Sequence, residues 1–237
     1  NNHWTFDARL SNIGTDGYID RASVDLNSYY LQGGYFAENT SVKLIAFAGK
    51  EKTYHAWGYA TKEEMEKFGR RYNPCGEMYT DADGNKHYYT DQTDNYLQKN
   101  YQLLLNHSFS TTWNLNVALH YTKGDGYYEE YKPGSSLVEY GLKPFNLDGT
   151  ETNESDLVRQ KKMDNKFGGG VFSLNYTGNR LTASLGGGLN QYRGNNFGKV
   201  TWVKNYIGNL SPEHEYYRNK SKKTDGNIYL KANYDLT

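Results

Sequence analysis

The chain has 237 residues, of which 36% are hydrophobic and 24 are tyrosine, whereas globular proteins are usually about 45–50% apolar with glycine counted. Lys+Arg and Asp+Glu both number 27, so there is no basic surplus for a phosphate backbone, and nucleic-acid binding is disfavoured. The single cysteine, Cys75, excludes a disulfide framework and a multi-cysteine zinc site. Disordered chains are poor in aromatic residues, so the 16% aromatic content predicts a folded protein.

Long apolar runs are missing from the sequence. No segment approaches 18 consecutive apolar residues, which excludes helical membrane spans. The sequence does not start with a basic and then apolar signal segment, and we expect the chain to be an excised piece. A membrane β-barrel stays compatible with this composition, because its strands expose apolar side chains on one face only.

Alternation of apolar and polar residues recurs along the chain. Period-2 alternation predicts strands with one apolar and one polar face. The clearest segments are 4–11, 113–122, 181–190 and 227–236, and weaker ones are 24–36, 41–49, 96–109 and 166–177. The sequence therefore predicts an all-β fold of about eight strands, several of them longer than the globular mean of about 5–6 residues.

Short and long connections alternate between these strands. Tight links are predicted at 38–40, 110–112 and 177–180, a modest loop near 14–22, and long loops near 50–95, 123–165 and 194–222. Because successive strands run up and down, all short turns lie at one end and all long loops at the other. This organisation is typical of an outer-membrane barrel, with short periplasmic turns and long extracellular loops.

Aromatic residues cluster near the short turns and the chain end, where the girdle of a membrane barrel would lie. They are Tyr35, Phe36, Phe109, Trp113, Tyr176 and Tyr234. The alternative is a soluble β-sandwich with aromatic edges. Loops of about thirty to forty residues are uncommon inside compact domains, and they favour the barrel.

Two local structures are predicted within the first long loop. Thr61 and Glu64 form a capping box and Gly69 suits a helix C-terminus, so 61–69 should be a short helix. Residues 79–90 should form a hairpin that turns at 83–85. The acidic run at 81–85 lacks the glycine position and the twelfth-position carboxylate of a calcium loop, which favours a turn.

The sequence indicates no catalytic residue, metal site or cofactor. Its six histidines never pair at helical spacing. Nucleophile-elbow, phosphate-loop and dinucleotide-binding motifs do not occur. Cys75 lies in a polar loop without a clear base nearby, which is typical of an inert thiol.

The two strand faces predict two environments. We expect the apolar side chains to face lipid, namely Trp4, Phe6, Leu10, Leu115, Val117, Leu119, Leu185, Leu230 and Tyr234. The polar side chains should line a lumen, namely Asp7, Arg9, Asn114, Asn116, His120, Asn190 and Lys231. For Asp7 and Arg9, a solvated pair in a charge ladder is favoured over a catalytic pair.

Aromatic and polar residues are concentrated in the long loops. The candidate ligand-binding residues are Tyr54, His55, Trp57, Tyr59, Tyr127, Tyr128, Tyr131 and Trp202. Such rings stack on flat or ring-shaped ligands and donate hydrogen bonds from their polar tips. The alternative role is that of structural loop anchors.

Several short motifs, taken in order, resemble the barrel of TonB-dependent outer-membrane receptors, in the style of Bacteroidetes siderophore receptors. They are Asp16-Gly17-Tyr18-Ile19-Asp20, Asn27-Ser28-Tyr29, Tyr72-Asn73, Asp94-Asn95-Tyr96, Tyr101-Gln102-Leu103, residues 120–128 and residues 192–198. In that family, a barrel of twenty-two strands encloses an N-terminal plug. The resemblance implies that residues 1–237 are one partial barrel domain, an internal fragment, with the plug and the remaining strands outside it.

The resemblance also implies a function. The whole receptor would import a scarce nutrient, foremost an iron-siderophore or similar metal chelate, across the outer membrane of a Gram-negative bacterium. Its partners would be that chelate or another nutrient, outer-membrane lipid and a periplasmic TonB-type energy transducer that acts through the missing plug. The alternative is a glycan-binding surface protein or glycan importer. An enzyme is disfavoured, because no nucleophile, base and orienting residue can be assigned.

Overall fold

The computed structural model describes residues 3–208, 210 and 214–236. Residues 1, 2, 209, 211–213 and 237, which fall within the predicted domain, lie outside the described part. Eight long strands form the main sheet: β1 (Trp4–Thr15), β2 (Val24–Phe36), β3 (Thr40–Tyr54), β6 (Thr93–Ser108), β7 (Trp113–Ser136), β10 (Glu154–Thr177), β11 (Leu181–Val203) and β12 (Glu215–Tyr234). The connections carry helix α1 (Lys62–Phe68), strands β4 (Glu77–Thr80), β5 (Lys86–Tyr88), β8 (Phe145–Leu147) and β9 (Thr150–Thr152), and a 3-10 turn (Val138–Tyr140).

The main sheet is an antiparallel meander. Its order is β1-β2-β3-β6-β7-β10-β11-β12, so each long strand pairs with its neighbours in sequence and β1 and β12 are the edges. Tight turns close at 37–39, 109–112 and 178–180, with backbone hydrogen bonds such as Ala37 N to Thr40 O (2.8 Å) and Gly178 N to Leu181 O (2.8 Å). The predicted strand number, turn positions and up-and-down topology are confirmed. No helix in the described part of the chain is long and apolar enough to cross a membrane.

The strand register places the apolar and polar side chains on opposite faces. Residues that pair across antiparallel strands share a face, and faces alternate along each strand. Leu103 pairs with Leu119 and Leu185 with Leu230, whereas Asn106 pairs with Asn116. When this alternation is followed through all eight strands, the nine predicted outward residues lie on one face, the apolar face. The seven predicted lumen residues lie on the other, the polar face.

Aromatic rings form a band at the turn end of the apolar face. The ring centroids of Trp4 and Tyr35 are 4.8 Å apart, and those of Trp113 and Tyr176 are 5.0 Å apart. Phe36 is an exception among the predicted girdle residues. As the sequence neighbour of Tyr35 it lies on the polar face, where Lys43 Nζ is 5.5 Å from its ring centroid.

The strands continue beyond the predicted start of the loops. The observed connections are 16–23, 55–92, 137–153 and 204–214, so the predictions of long loops at 123–165 and 194–222 were wrong in extent. The reason is that charged and aromatic side chains support the ladder where apolar alternation stops. Arg159 pairs with Glu130 and Gln160 with Glu129 across β10 and β7, with side-chain hydrogen bonds of 2.7 and 2.5 Å.

The predicted helix and hairpin are both present in the first long connection. Thr61 Oγ1 accepts from Glu64 N (3.2 Å) while Glu64 Oε2 accepts from Thr61 N (2.8 Å), the predicted capping box. The β4–β5 hairpin turns through Gly84 with φ 86°. A second hairpin, β8–β9, was not predicted, although Asp148 and Gly149 at its turn, with φ 50° and 82°, form an Asp-Gly hairpin signal.

The main hydrophobic core lies at the loop end of the polar face. The connection 137–153 folds back over β10 and β11, where Leu137, Leu157 and Val200 are fully buried and pack with Phe145 and other apolar side chains. On the opposite face, the 55–92 connection covers the loop end, where Tyr54 and Tyr131 are buried. Toward the short turns the sheet is a single layer with both faces open. The 137–153 connection is therefore held firmly against the strands that border the candidate site.

Candidate functional site

The polar face carries clusters of hydrogen-bonded side chains. Asn116 accepts from Asn106 Nδ2 (2.6 Å) and donates to Ser173 Oγ (3.3 Å), so it links three adjacent strands. His120 Nε2 lies 2.8 Å from Asn190 Oδ1. Amide, hydroxyl and imidazole groups at these positions form a polar wall that suits water or a polar solute.

Asp7 and Arg9, also predicted for the lumen, lie on the polar face of edge strand β1. Gln32 donates to Asp7 Oδ2 (3.1 Å), and Arg9 Nε donates to Ser11 Oγ (3.1 Å). Within the described residues the two make no ion pair with each other. They therefore join the polar wall through neutral partners rather than through a charge ladder.

Three of the predicted ligand-binding residues meet at the loop end of the polar face. His55 follows directly after β3, Trp57 lies two residues further along, and Tyr128 projects from β7. The imidazole of His55 stacks on the indole of Trp57, with centroids 3.9 Å apart and planes at 27°. The ring of Tyr128 meets Trp57 edge-on at 5.6 Å and 89°. We call His55, Trp57 and Tyr128 the aromatic ledge.

The ledge has a buried base and an open top. His55 is only 2% exposed, whereas Trp57 is 50% exposed. Packing on a buried imidazole and against Tyr128 fixes the orientation of the indole, and its free surface faces solvent. A flat ligand could stack on this surface without reorganising the side chains.

Charged groups border the ledge on the same face. Lys161 Nζ lies 5.8 Å from the Tyr128 ring centroid, and Asp94 Oδ2 lies 3.8 Å from His55 Nε2. A shallow pocket of ≈ 540 Å³ opens beside them and is also lined by Tyr96 and Tyr217. The site thus combines stacking surfaces with hydroxyl, ammonium and carboxylate groups.

Burial determines the charge states in this region. It lowers the pKa of His55, a shift that Glu130 partly opposes, so the imidazole is neutral at pH 7. Burial raises the pKa of Asp94, with further contributions from Glu51 and Glu130. Both ring nitrogens of His55 are buried, and Asp94 Oδ2, at 3.8 Å from Nε2, lies beyond hydrogen-bonding distance. The neutral imidazole serves as a stacking partner for Trp57.

Tyr54, Tyr131 and Trp202 lie away from the ledge. Tyr54 is buried and donates to the carbonyl of Tyr89 (2.8 Å). Tyr131 is buried, donates to Asp156 Oδ2 (2.6 Å) and stacks with Trp202 at 6.3 Å. Strand alternation places all three on the extension of the apolar face, where Tyr54 and Tyr131 contact Tyr89 of the 55–92 connection. The contacts of Tyr54 and Tyr131 are those of loop anchors, and Trp202 packs on Tyr131.

Tyr59 and Tyr127 are also separate from the ledge. Tyr59 is 97% exposed, and its ring meets no other ring in the described part of the chain. Tyr127 is adjacent to Tyr128 on β7 and so points to the opposite face, where Lys162 Nζ lies 4.3 Å from its ring centroid. The eight candidates therefore occupy several environments. The structure brings His55, Trp57 and Tyr128 together at the ledge, and it brings Tyr131 together with Trp202 on the opposite face.

Sequence reasoning missed Asp94 and Lys161 beside the ledge. Asp94 pairs with Tyr128, and Tyr128 pairs with Lys161, so the three lie in one row across β6, β7 and β10. Only the cross-strand register reveals this row, because its members are distant in sequence.

The remaining polar motifs have local structural roles. Asp81 accepts from the backbone amides of Asp83 (3.1 Å) and Asn85 (2.8 Å), as predicted for a turn. A hydrogen bond from His87 is the largest cause that lowers the pKa of Asp81 to about 2. Cys75 is buried, and its Sγ accepts from Gly58 N at 3.2 Å.

Comparisons with known proteins give no match to a family model or to a curated protein. Solved structures do match. The ferric-catecholate import receptor Fiu from E. coli K12 aligns with a TM-score of 0.62 at 11% identity, over 100% of this chain and 38% of its own. The RagAB peptide transporter aligns with a TM-score of 0.61 at 11% identity, over 97% of this chain and 28% of its own. BauA, the ferric preacinetobactin receptor from Acinetobacter baumannii, aligns with a TM-score of 0.53 at 11% identity, over 96% of this chain and 34% of its own.

These matches concern the fold. The chain has the fold of a segment of a TonB-dependent receptor barrel, in agreement with the resemblance found in its sequence motifs. It spans about a third of the length of the solved structures that it matches.

Proposed function

We propose that this chain is one side of the barrel of a TonB-dependent receptor in the outer membrane of a Gram-negative bacterium, and that the receptor binds and imports a scarce nutrient. The likeness in fold to two ferric-chelate receptors and a peptide transporter supports transport in general. The apolar face then contacts lipid, the polar face lines the lumen, and the long connections are extracellular.

The dimensions of the apolar face support this placement. In β7 the apolar stretch runs from Trp113 to Tyr121, and charged residues follow from Lys123 onward. Transmembrane strands need about 9–11 residues, bordered by aromatic residues at both interfaces. Heat-modifiable migration on a gel and detergent-dependent solubility of the full-length receptor are the expected results. Solubility without detergent would contradict the membrane placement.

The aromatic ledge is the observation that carries the proposal for ligand capture. It lies on the polar face at the loop end, so a ligand from outside meets it before the polar wall around Asn116 and His120. The half-exposed indole of Trp57 offers a stacking surface, and Lys161 supplies a positive charge beside Tyr128. An iron-siderophore or similar metal chelate, which is flat in part and often anionic, suits both features.

A glycan is the second candidate ligand. Sugar rings also stack on exposed indole surfaces, and the carboxylate of Asp94 could accept hydrogen bonds from sugar hydroxyls. The two ligand classes differ in their need for positive charge. Loss of Lys161 should weaken binding of an anionic chelate and leave a neutral oligosaccharide nearly unaffected.

The test compares ligand binding by variants of Trp57, Tyr128 and Tyr127 in the full-length receptor. Stacking of a nucleic-acid base on an aromatic ring is worth about 1–3 kcal/mol, and by analogy Trp57→Ala or Tyr128→Ala should weaken binding roughly five- to a hundredfold. Tyr127→Ala is the matched control, because its ring lies on the opposite face of the same strand. Binding of a ferric catecholate chelate and of neutral oligosaccharides is measured by titration.

Each outcome of this test has a defined meaning. Loss in the ledge variants with a normal Tyr127→Ala variant supports capture at the ledge. Unchanged affinity in both ledge variants would reduce these rings to loop anchors. Import itself should also require a periplasmic TonB-type transducer acting on a plug, so uptake should stop in cells that lack the transducer while surface binding persists.

A further inference from the structure

A row of positive side chains crosses five adjacent strands on the extension of the apolar face. Lys99 of β6 pairs with Lys123 of β7, and Lys123 pairs with Lys166 of β10. Lys166 pairs with Arg193 of β11, and Arg193 pairs with Lys222 of β12. We call these five residues the cation row. Directly paired residues share a face, so all five side chains emerge on one side of the sheet.

Like charges directly opposite each other destabilise a sheet, and this row contains four such contacts in succession. Lys99, Lys166 and Lys222 make no ion pair with any described residue. Lys123 Nζ lies 3.9 Å from Asp125 Oδ1, and Arg193 Nε donates to Gln191 at 2.7 Å. The repulsion is therefore only partly relieved within the described residues.

The neighbouring row further from the short turns compensates the five positive charges only in part. It contains the carboxylates of Asp125 and Asp164, which pair directly with each other, and the ammonium of Lys220 opposite Asn195. On the other side of the cation row, toward the short turns, Tyr101 and Tyr121 begin the apolar stretch. The cation row thus lies between an apolar surface and a mixed polar surface.

The inference rests on the membrane placement given under Proposed function. With that placement, the cation row lies at one level of the membrane. Lys123 lies ten residues beyond Trp113, or about 33 Å along the strand. At the usual tilt of about 35–45° this is roughly 25 Å along the membrane normal, the height of the apolar band in outer-membrane barrels. The cation row then lies at the headgroups of the leaflet on the loop side.

We propose that the cation row binds the phosphate groups of lipid headgroups in that leaflet. Neighbouring strands are about 4.8 Å apart, so the row spans about 19 Å and could hold several phosphates between adjacent side chains. Each phosphate would replace a repulsive contact by two charge-assisted hydrogen bonds. A lipid fits better than a soluble polyanion, because its acyl chains would cover the apolar surface around Tyr101 and Tyr121.

The test uses the full-length receptor in phosphatidylcholine nanodiscs and titrates lipid A that carries two phosphates. Lys166→Gln with Lys222→Gln removes two exposed charges of the row. A surface lysine contributes about fivefold to membrane binding, so affinity should fall roughly 25-fold. Lys43→Gln with Lys231→Gln, on the polar face near the short turns, is the matched control and should bind normally. Lys166→Arg with Lys222→Arg keeps both charges and should also bind normally.

The same variants separate a ligand role from a structural one. Without lipid A, the double glutamine variant should have a higher Tm than the parent protein, because the repulsion is reduced. With lipid A, it should gain less heat stability than the parent. Equal affinity in the glutamine variant and its control would overturn the proposal. The proposal would also be overturned if dephosphorylated lipid A bound as strongly as lipid A with two phosphates, or if inorganic phosphate alone competed with lipid A.

A separate readout tests the membrane placement. Trp4 and Trp113 lie on the apolar face, so brominated phosphatidylcholine should quench tryptophan fluorescence in every variant. If quenching occurs but the glutamine variant and its control bind lipid A equally, the proposal for the cation row is rejected and the membrane placement stands. Failure of quenching in the parent protein would reject the placement and the inference together.

Discussion

A single arginine on the apolar face gives the sharpest test of the face assignment. Val117 lies in the middle of the apolar stretch of β7, paired with Leu105 on one side and Phe172 on the other. An arginine at the midplane of a membrane barrel costs about 2–4 kcal/mol on the lipid face. The neighbouring apolar side chains offer no counter-charge, so Val117→Arg should fall within this range.

The matched control is the next residue along the strand. Ala118 points to the polar face at the same depth, where an arginine would reach water in the proposed lumen, so Ala118→Arg should cost less than about 1 kcal/mol. Reversible unfolding of the full-length protein by guanidinium in phospholipid vesicles measures both variants. If Val117→Arg proved no more destabilising than Ala118→Arg, the assignment of the two faces to lipid and lumen would be refuted.

Two further predictions concern the loop end. Burial lowers the pKa of His55 below its usual value of about 6.5, so the unfolded state binds more protons and stability should decrease as pH falls below about 6.5. A His55→Gln variant should show a weaker decrease in unfolding midpoints between pH 7 and 5. A Cβ at Gly126 would overlap the carbonyl oxygen of Asn95 on the neighbouring strand, so Gly126→Ala should destabilise by about 1–3 kcal/mol. Gly49→Ala, where a Cβ would meet nothing within 4 Å, is its control, and equal unfolding midpoints for the two variants would contradict the close approach.

The strand faces could be predicted because the information is local. Alternation at 113–121 fixes which side chains of β7 share a face, whatever the neighbouring strands are. The capping box at Thr61 and the turn at Gly84 are equally local, since their hydrogen bonds join residues only a few positions apart. The short turns also determined three of the strand pairs, β2–β3, β6–β7 and β10–β11, because a tight link forces the two strands that it joins to pair.

The extent of the strands could not be predicted in the same way. Beyond residue 123 the side chains of β7 are polar or aromatic on both faces, so no alternation distinguishes strand from loop. Ion pairs such as Arg159 with Glu130, at 2.7 Å, hold these extensions together across strands. Their partners are far apart in sequence, and composition alone therefore suggested long loops.

The sequence by itself determined the fold class, the two faces of the strands and the concentration of aromatic residues near the loop end, because these follow from periodicity and composition. Only the tertiary structure decided which of those residues act together. Tyr127 and Tyr128 are neighbours in sequence but point to opposite faces, whereas His55, which follows β3, and Tyr128 of β7 are distant in sequence and meet. The cation row likewise exists only through the register of five strands, because hydrogen bonds between strands, and not sequence proximity, place its charges side by side.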